Sequence, residues 1–305
     1  LFPTLPFLST LTPFSYGIRP NGTLVDLDDS ELITIAENNN VAPVLLVTTL
    51  TEDGRFSSEN AAAILGSEEA TMALANNIIA KLQTHNYFGV DVDFEYIPPR
   101  FKQQYVKFIE LLHSLAQPLG YKVMVALAPK TSSDQPGLLY EAHDYAALGA
   151  AADYVLIMTY EWGYTYGPPM AVAPLNKVEE VVRYAVSQIP PEKLLMGIPN
   201  YAYDWTLPFI KGNAAQAISN NRAIELAREV GAEIMYDETA QTPYYNYYDS
   251  NGRQHVVWFE DARSVAAKMQ LLRNYNLAGY SIWTVMSFYK PMMTVMDSMF
   301  DIIKI

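Results

Sequence analysis

The sequence predicts an α/β protein built as a (β/α)8 TIM barrel, and three observations indicate this fold. Strand-like runs alternate with amphipathic helices along the chain, at the pace of successive β/α units. Several runs are apolar throughout, as in parallel strands that are covered on both faces. The chain has 305 residues, of which 50% are hydrophobic, enough for one barrel core.

The first part of the chain holds the units that precede an acidic strand. Strands are predicted over Phe7–Ile18 and Val41–Thr48, with a short helix over Asp28–Asn38 between them. A longer helix follows Ser67, a residue suited to the N-cap position. Its inward stripe consists of Leu74, Ile78 and Leu82.

The acidic strand, residues 87–95, is the most informative stretch. At the two-residue period of a strand, Asp91, Asp93 and Glu95 lie on one face, and the residues between them make the other face apolar. One aspartate alone would more often belong to an ordinary acidic surface strand. Three aligned carboxylates on a buried strand repel one another, which raises some of their pKa values and keeps a proton available near neutral pH. The row therefore predicts a general acid.

The second part of the chain continues the same alternation. A helix is predicted between Pro98 and Pro118 and another over Asn176–Ile189. Four further strands are predicted over Lys122–Ala128, Asp153–Thr159, Leu194–Pro199 and Gly279–Thr284. With the acidic strand third, the count is seven parallel strands. We therefore expect the first β/α unit of the barrel to lie before Leu1, in a longer protein.

An insertion interrupts the alternation at about residues 232–259, within a single domain that covers residues 1–305. Asn251 and Gly252 separate two runs of aromatic and β-branched residues, which is a strong hairpin signal. The pattern predicts a small antiparallel α+β insertion on the barrel rim. Its tyrosines fit either a core or a wall that faces sugar.

Composition excludes several classes of function. The chain has no cysteine and only four dispersed histidines, so we expect neither disulfides nor a metal site, and no cofactor. A net charge of −13 argues against nucleic acid as a partner. The sequence contains no apolar run of the roughly 18 residues that a membrane span needs. We expect a monomer without a membrane partner.

Reactive groups of a β/α barrel gather at the carboxyl ends of its strands, and aromatic residues cluster there in this sequence. Rings that surround carboxylates suit a carbohydrate, because sugar C–H faces stack on rings while hydroxyls need polar acceptors. Any one of these aromatics taken singly would more often be a core residue. The candidate substrate-binding residues are Tyr16, Glu161, Trp162, Asn200, Tyr201 and Trp283, beside Tyr160 as a candidate catalytic residue.

These motifs together resemble glycoside hydrolase family 18. Phe88–Glu95 is similar to the D-G-x-D-x-D-x-E signature of that family, Met158–Glu161 to its M-x-Y-D motif, and Trp283 to the tryptophan on its last strand. Residues 160–175 and 257–264 resemble the spore cortex-lytic N-acetylglucosaminidases of the family, whose members commonly carry LysM modules ahead of the barrel. The resemblance implies an N-acetylated polysaccharide as substrate and an extracytoplasmic or spore-associated location.

The resemblance also implies a retaining mechanism in which the substrate supplies the nucleophile. Glu95 would donate a proton to the glycosidic oxygen, and the 2-acetamido oxygen would close on the anomeric carbon. Asp93 would orient the acetamide, and Asp91 would share a proton with Asp93. Tyr160 would hold the acetamide oxygen, and Trp283 would form the floor of the sugar site.

Two positions depart from the family pattern. Phe88 stands where the signature has its first aspartate, so a proton relay below Asp91 is not expected. Glu161 replaces the aspartate of M-x-Y-D with a longer acid of the same charge.

Three other hypotheses for the function compete with a peptidoglycan hydrolase. They are a chitinase, a sugar-binding barrel without catalysis, and a metal-dependent enzyme that uses the acidic row as oxygen ligands. Neither the choice between peptidoglycan and chitin nor that between exo and endo cleavage follows from the residues.

Overall fold

A computed structural model describes residues 1–51 and 53–305. In chain order, its strands are β1 (Thr10–Leu11), β2 (Gly17–Ile18), β3 (Leu24–Val25), β4 (Ala42–Thr48), β5 (Gly89–Asp93), β6 (Lys122–Leu127), β7 (Tyr154–Ile157), β8 (Leu194–Pro199), β9 (Ala202–Thr206), β10 (Gln216–Ile218), β11 (Met235–Asp237), β12 (Thr242–Tyr248), β13 (Gln254–Trp258) and β14 (Gly279–Trp283). Its α-helices are α1 (Ser30–Asn38), α2 (Ser58–Leu65), α3 (Glu68–Leu82), α4 (Lys102–Ala116), α5 (Tyr145–Ala151), α6 (Leu175–Gln188), α7 (Asn220–Val230), α8 (Ala262–Asn274) and α9 (Lys290–Met299).

The largest sheet in the described part of the chain has seven strands, in the order β1-β4-β5-β6-β7-β8-β14. The pairs from β1 through β7 are parallel. The register places Leu46 of β4 and Met124 of β6 beside Asp91 of β5. The strand count and the alternation with helices agree with the fold class predicted from the sequence.

Helix α3 shows how local sequence sets an element of this fold. The Ser67 hydroxyl accepts a hydrogen bond from the Ala70 amide at 3.2 Å, so Ser67 is the N-cap, as predicted. The predicted stripe of Leu74, Ile78 and Leu82 is fully buried. The polar cap and the apolar stripe together determine where α3 begins and which side it buries.

The strand predicted over Phe7–Ile18 is wrong in its extent. Residues Phe2–Phe7 form a 3-10 helix, and only Thr10–Leu11 and Gly17–Ile18 of the predicted range are extended in a sheet. Proline explains the difference, because Pro6 lies in the 3-10 helix and Pro13 follows β1, and neither has an amide hydrogen for a ladder. Helices α2 and α5, which are short and rich in alanine, were not predicted.

Apart from the antiparallel pair of β2 and β3, a five-stranded antiparallel sheet has the strand order β10-β9-β13-β12-β11. The hairpin predicted at Asn251–Gly252 is present between β12 and β13, where Gly252 has a φ of 73°. The sheet also includes β9 and β10, which lie before the predicted range of 232–259. Of the tyrosines in β12, Tyr245 is buried in a core with Val257 and Phe259, whereas Tyr248 is exposed.

The described residues divide into two compact units. The unit that contains the acidic strand, the β5 unit, comprises Leu8–Met158, Tyr184–Leu195 and Ile302–Ile305. The other, the β14 unit, comprises Leu1–Phe7, Thr159–Arg183 and Met196–Asp301. None of the helices in residues 1–51 and 53–305 is long and apolar enough to cross a membrane.

Candidate active site

Strand β5 is buried along its whole length and brings the acidic row into the interior of the β5 unit. Asp91 and Asp93 are 6% and 8% exposed, and Glu95, just past the end of the strand, is half-buried. Gly89 allows this strand to lie close to β6, because a Cβ at position 89 would come within 2.0 Å of the Lys122 carbonyl oxygen. Phe94, which the two-residue alternation assigns to the opposite face of the strand, is fully buried.

The electrostatics of the row follow from that burial. Burial raises the pKa of Asp91 to about 7. Burial and then the charges of Glu95 and Asp91 raise the pKa of Asp93 well above its ordinary value. One carboxyl oxygen of Asp91 and one of Asp93 are buried and accept no hydrogen bond from the described residues. Both pKa shifts favour retention of a proton in the row near neutral pH.

The backbone that follows β5 is held by side chains from three other segments. The carbonyl oxygen of Phe94 lies 2.9 Å from Nε2 of His143. The Glu95 carbonyl accepts from the Thr49 hydroxyl at 3.5 Å, and the Tyr96 carbonyl accepts from the Ser58 hydroxyl at 2.6 Å. Three consecutive carbonyls around Glu95 are thus fixed, although sequence reasoning identified none of these partners.

The structure places one predicted sugar contact, Tyr16, and the unusual residue of the signature, Phe88, in other surroundings. Tyr16 is fully buried and donates its hydroxyl to Asp29 at 2.8 Å, and Tyr87 donates to the same carboxylate at 3.3 Å. Burial leaves Tyr16 no surface for a sugar, so we leave it out of the proposed substrate contacts. Phe88 lines a cavity of about 860 Å³ beside the amino ends of β4, β5 and β6.

In the β14 unit, Glu161 lies at a sharp turn of the chain, with a φ of 68°. The Tyr201 hydroxyl donates to its carboxylate at 2.5 Å, and the Tyr203 hydroxyl donates to the same oxygen at 3.1 Å. Burial by surrounding protein raises the pKa of Glu161, while these two donors oppose the rise. The structure thus joins two predicted substrate contacts, Glu161 and Tyr201, and adds Tyr203, which the sequence analysis did not single out.

Tyr160 and Trp162 flank this turn. Tyr160 is half-buried and packs against a core cluster that contains Tyr203 and Trp205. The amide of Trp162 donates to the Val172 carbonyl at 3.0 Å, which ties the turn to the returning chain.

Trp283 ends β14 with 38% of its surface exposed, and Asn200 holds the backbone around it. The amide of Asn200 donates to the Trp283 carbonyl at 2.8 Å. Its side-chain nitrogen donates to the carbonyls of Thr284 and Ser287, both at 2.8 Å, and its side-chain oxygen accepts from Asn220 at 3.3 Å. Asn200 is 3% exposed and its side-chain atoms are hydrogen-bonded within the protein, so we do not assign it a contact with sugar.

In residues 1–51 and 53–305 there is no group of three or more His, Cys, Asp or Glu side chains arranged to hold a metal ion.

Comparison with known proteins gives a consistent result. The family model of the glycosyl hydrolases of family 18 matches residues 21–287. The Cortical fragment-lytic enzyme of Bacillus subtilis (strain 168) is 39% identical over 300 residues, which cover 98% of this chain and 69% of that protein. Its namesake from Bacillus anthracis is 41% identical over 282 residues, which cover 92% and 65%. The chain spans about two thirds of the length of these curated relatives.

Solved structures agree with the sequence relatives. The spore cortex-lytic enzyme SleL of Bacillus megaterium QM B1551 matches with a TM-score of 0.95 at 39% identity, covering 99% of this chain and 70% of that one. A chitinase from Chromobacterium violaceum ATCC 12472 matches with a TM-score of 0.91 at 26% identity, covering 97% and 92%. These likenesses confirm the predicted fold class, a (β/α)8 barrel represented here by seven parallel strands, with an antiparallel insertion.

Proposed function

We propose that this chain, which belongs to glycoside hydrolase family 18, hydrolyses the N-acetylglucosamine-containing glycan of spore cortex peptidoglycan. The family and the relatives named Cortical fragment-lytic enzyme make the chain a glycosidase related to spore cortex-lytic enzymes. The choice of substrate is supported by those names. In this proposal the enzyme acts as a monomer without a cofactor, on glycan outside the spore core.

The observation that carries the proposal is the buried acidic row of β5. Asp91 and Asp93 lie in a fully buried strand, and Glu95 follows where the chain becomes half-exposed. The raised pKa values of Asp91 and Asp93 mean that a proton can remain within the row while Glu95 gives one up. Glu95 is a half-exposed acid next to two buried carboxyls with raised pKa values, an arrangement that suits proton donation to a substrate.

The first step of the proposed reaction cleaves the glycosidic bond. Glu95 transfers its proton to the glycosidic oxygen, and the bond between that oxygen and the anomeric carbon breaks. The 2-acetamido oxygen of the same sugar bonds to the anomeric carbon, which gives an oxazolinium ion and releases the leaving sugar as an alcohol. Asp93 orients the acetamide and stabilises its positive charge.

The second step restores the enzyme. The Glu95 carboxylate takes a proton from a water molecule as the water oxygen bonds to the anomeric carbon. The bond from the acetamide oxygen to that carbon breaks, and the sugar is released with its original configuration. Asp93 and Glu95 are two positions apart in the acidic row, so at the rise of a strand their Cα atoms lie about 6.6 Å apart. At that spacing their side chains point in the same direction, so they cannot easily lie on opposite sides of an anomeric carbon. We therefore assign the nucleophile to the substrate rather than to Asp93.

The β14 unit supplies the proposed sugar contacts. By the family resemblance, Tyr160 holds the acetamide oxygen and Trp283 stacks on the sugar ring. Glu161 and Tyr201 form a hydrogen-bonded acid and hydroxyl whose oxygens can accept hydrogen bonds from sugar hydroxyls. Trp162 completes this group of contacts.

Chitin oligomers are the second candidate substrate. The chitinase from Chromobacterium violaceum ATCC 12472 covers 97% of this chain at 26% identity, which favours this candidate over other glycans. The same acetamide-assisted chemistry applies to both polymers, since both present N-acetylglucosamine.

Mass spectrometry of fragments released from purified spore cortex and from chitin oligomers tests the substrate. We expect cortex fragments with N-acetylglucosamine at the new reducing end. Rapid release from chitin with none from cortex would favour the second candidate.

De-N-acetylated glycan tests the mechanism. We expect no cleavage where the sugar that reacts lacks its acetyl group, and we expect inhibition by a thiazoline analogue of the oxazolinium ion. Efficient hydrolysis of the de-N-acetylated sugar, or a glycosyl ester trapped on an aspartate or glutamate, would refute substrate assistance.

A further inference from the structure

The imidazole of His143 bridges the ends of two neighbouring parallel strands. Its Nδ1 lies 2.9 Å from the amide nitrogen of Ala128, just past β6, and its Nε2 lies 2.9 Å from the carbonyl oxygen of Phe94, just past β5. The parallel ladder between these strands ends at the pair of Val92 and Val125. His143 therefore joins a carbonyl and an amide beyond the point where the strands pair with each other.

The two contacts determine the tautomer of the ring. A backbone amide can only donate, so Nδ1 must accept from Ala128 and carries no hydrogen. The ring hydrogen is then on Nε2, which donates to the Phe94 carbonyl. His143 is 1% exposed, and burial lowers its pKa to about 4, so the ring stays neutral at physiological pH.

The backbone around His143 and Ala128 is itself held by several hydrogen bonds. The Tyr145 hydroxyl donates to the Ala128 carbonyl at 2.6 Å and accepts from the Lys130 amide at 2.9 Å. The Lys130 ammonium donates to the carbonyl of His143 at 3.0 Å. Asp144, which follows His143, caps helix α5 through the Ala147 amide. These contacts restrain the backbone that carries His143, whereas the ring itself is held by its own two hydrogen bonds.

Phe94 is restrained on its other side by aromatic packing. Its ring stacks on Tyr105, with centroids 5.8 Å apart and planes 10° apart, and on Phe108 at 5.6 Å and 13°. The side chain of Phe94 is thus fixed by helix α4 and its carbonyl by His143. The peptide that links Phe94 to Glu95 has one orientation, which sets the direction in which the Glu95 side chain leaves the backbone.

We propose that His143 is a positioning residue for the acid Glu95, acting through its hydrogen bond to the Phe94 carbonyl. This inference rests on the proposed function, in which Glu95 donates the proton to the glycosidic oxygen. Loss of the bond lets the peptide turn and displaces the carboxyl from the leaving oxygen. A displacement of about 1 Å costs about 10²-fold in rate, while sugar binding does not depend on it.

Two amide substitutions separate the two hydrogen bonds of the ring. His143→Gln places an amide nitrogen near the position of Nε2 and can keep the bond to Phe94, whereas His143→Asn places its oxygen near Nδ1 and keeps only the bond from Ala128. We expect His143→Asn to lower kcat on cortex glycan by about 10²-fold with KM within about 2-fold. We expect His143→Gln to recover most of that loss.

Tyr145→Phe is the matched control. It removes two hydrogen bonds from the same network but leaves the contact between His143 and Phe94 in place. We expect it to lower the melting temperature and to leave kcat within about 2-fold of the wild type. A loss of kcat in Tyr145→Phe equal to that in His143→Asn would overturn the proposal, because general loosening of the loop would then explain both.

The dependence of the rate on the leaving group distinguishes a role through the acid from a merely structural role. An aryl N-acetylglucosaminide with a nitrophenolate leaving group needs little protonation, so a misplaced acid matters little for it. We expect His143→Asn to keep most of its activity on that substrate while it loses activity on cortex glycan. Equal losses on both substrates would contradict a role through the acid.

Measurements on two further samples keep the outcome unambiguous. Nitrogen NMR of histidine-labelled wild-type protein, assigned with His143→Gln, should show a neutral Nε2–H ring between pH 5 and 8; an Nδ1–H ring or an imidazolium would overturn the inference even if the asparagine variant failed to fold. Glu95→Gln, measured in parallel, should lose activity on cortex glycan. Full activity of Glu95→Gln would instead refute the proposed function, whatever the histidine variants show.

Discussion

The two units present their candidate functional residues in contrasting ways. In the β5 unit, Asp91 and Asp93 are buried in a strand. The chain around Glu95 is held by hydrogen bonds from side chains of other segments to its backbone carbonyls. In the β14 unit, the Glu161 carboxylate accepts a hydrogen bond from the Tyr201 hydroxyl, and Trp283 is exposed over 38% of its surface.

The difference separates two physical requirements. Proton transfer needs an acid whose position is fixed to a fraction of an ångström, so the groups that support it are buried and bonded to its backbone. Stacking and hydrogen bonding to sugar need exposed, adaptable groups. We therefore expect changes in the acidic row of the β5 unit to alter kcat or stability, and changes at the sugar contacts Glu161, Tyr201 and Trp283 of the β14 unit to alter KM.

The largest effect is expected from Glu95→Gln. The amide keeps the shape of the side chain and removes the transferable proton, so kcat on cortex glycan should fall by about 10²- to 10⁴-fold with an unchanged melting temperature. Steady-state kinetics and thermal melting measure the two quantities. Glu110→Gln, an exposed acid on α4 of the same unit, serves as the control and should behave like the wild type.

Asp91→Asn should stabilise the fold at neutral pH. Burial raises the pKa of Asp91 from 3.8 to about 7, so the folded protein binds a proton that the unfolded chain releases. The resulting stability is present below pH 3.8 and is lost as the pH rises toward 7, and the neutral amide avoids this loss. At about 1.4 kcal/mol per pKa unit, the gain at pH 7 approaches about 4 kcal/mol.

Urea unfolding at pH 4 and pH 7 measures that gain. Asp29→Asn is the control, because that buried carboxylate accepts hydrogen bonds from two tyrosines and its loss should destabilise the protein. A stability difference between Asp91→Asn and the wild type that does not grow with pH would contradict the assigned shift.

Asp93→Asn should lower kcat by about 10²-fold and change KM much less. The amide still contacts the acetamide but lacks the negative charge that stabilises the oxazolinium ion. Kinetics on defined cortex fragments separate the two constants. If only KM rose, Asp93 would be a binding residue and the contrast between the units would be weaker than we infer.

Trp283→Ala should raise KM by about 10-fold with kcat nearly unchanged, because an aromatic contact is worth about 1.5 kcal/mol. Tyr248→Ala, which removes an exposed aromatic side chain from the hairpin of the same unit, is the control and should leave KM unchanged. A loss confined to kcat in Trp283→Ala would place that residue with the chemistry and break the comparison.

Much of the fold was predictable because its signals are local. The two-residue period of residues 89–95, the cap at Ser67 and the turn at Gly252 each depend on neighbours in the sequence. The antiparallel sheet was underestimated because β9 joins it through pairs such as Val257 with Asp204, which are far apart along the chain. Residue types do not reveal such pairings.

The candidate site was predictable to a similar degree. The acidic row consists of side chains at a regular spacing, so it could be predicted from the sequence. His143, Thr49 and Ser58 could not, because their partners are backbone carbonyls, which every residue has. The residue type of Tyr16 suits a sugar contact, but its hydroxyl donates to Asp29 in the core, which the residue type alone does not reveal.

The close approach of β5 to β6 makes position 89 intolerant of any change. The nearest atoms to an added Cβ are the oxygen, carbon and nitrogen of the Lys122 backbone, at 2.0, 2.8 and 2.8 Å, and a strand backbone cannot rotate aside as a side chain can. A single methyl group there would act as a wedge at the foot of the acidic strand. Saturation mutagenesis of this codon should therefore return only glycine among folded, active clones, which makes the smallest residue the least replaceable part of the strand.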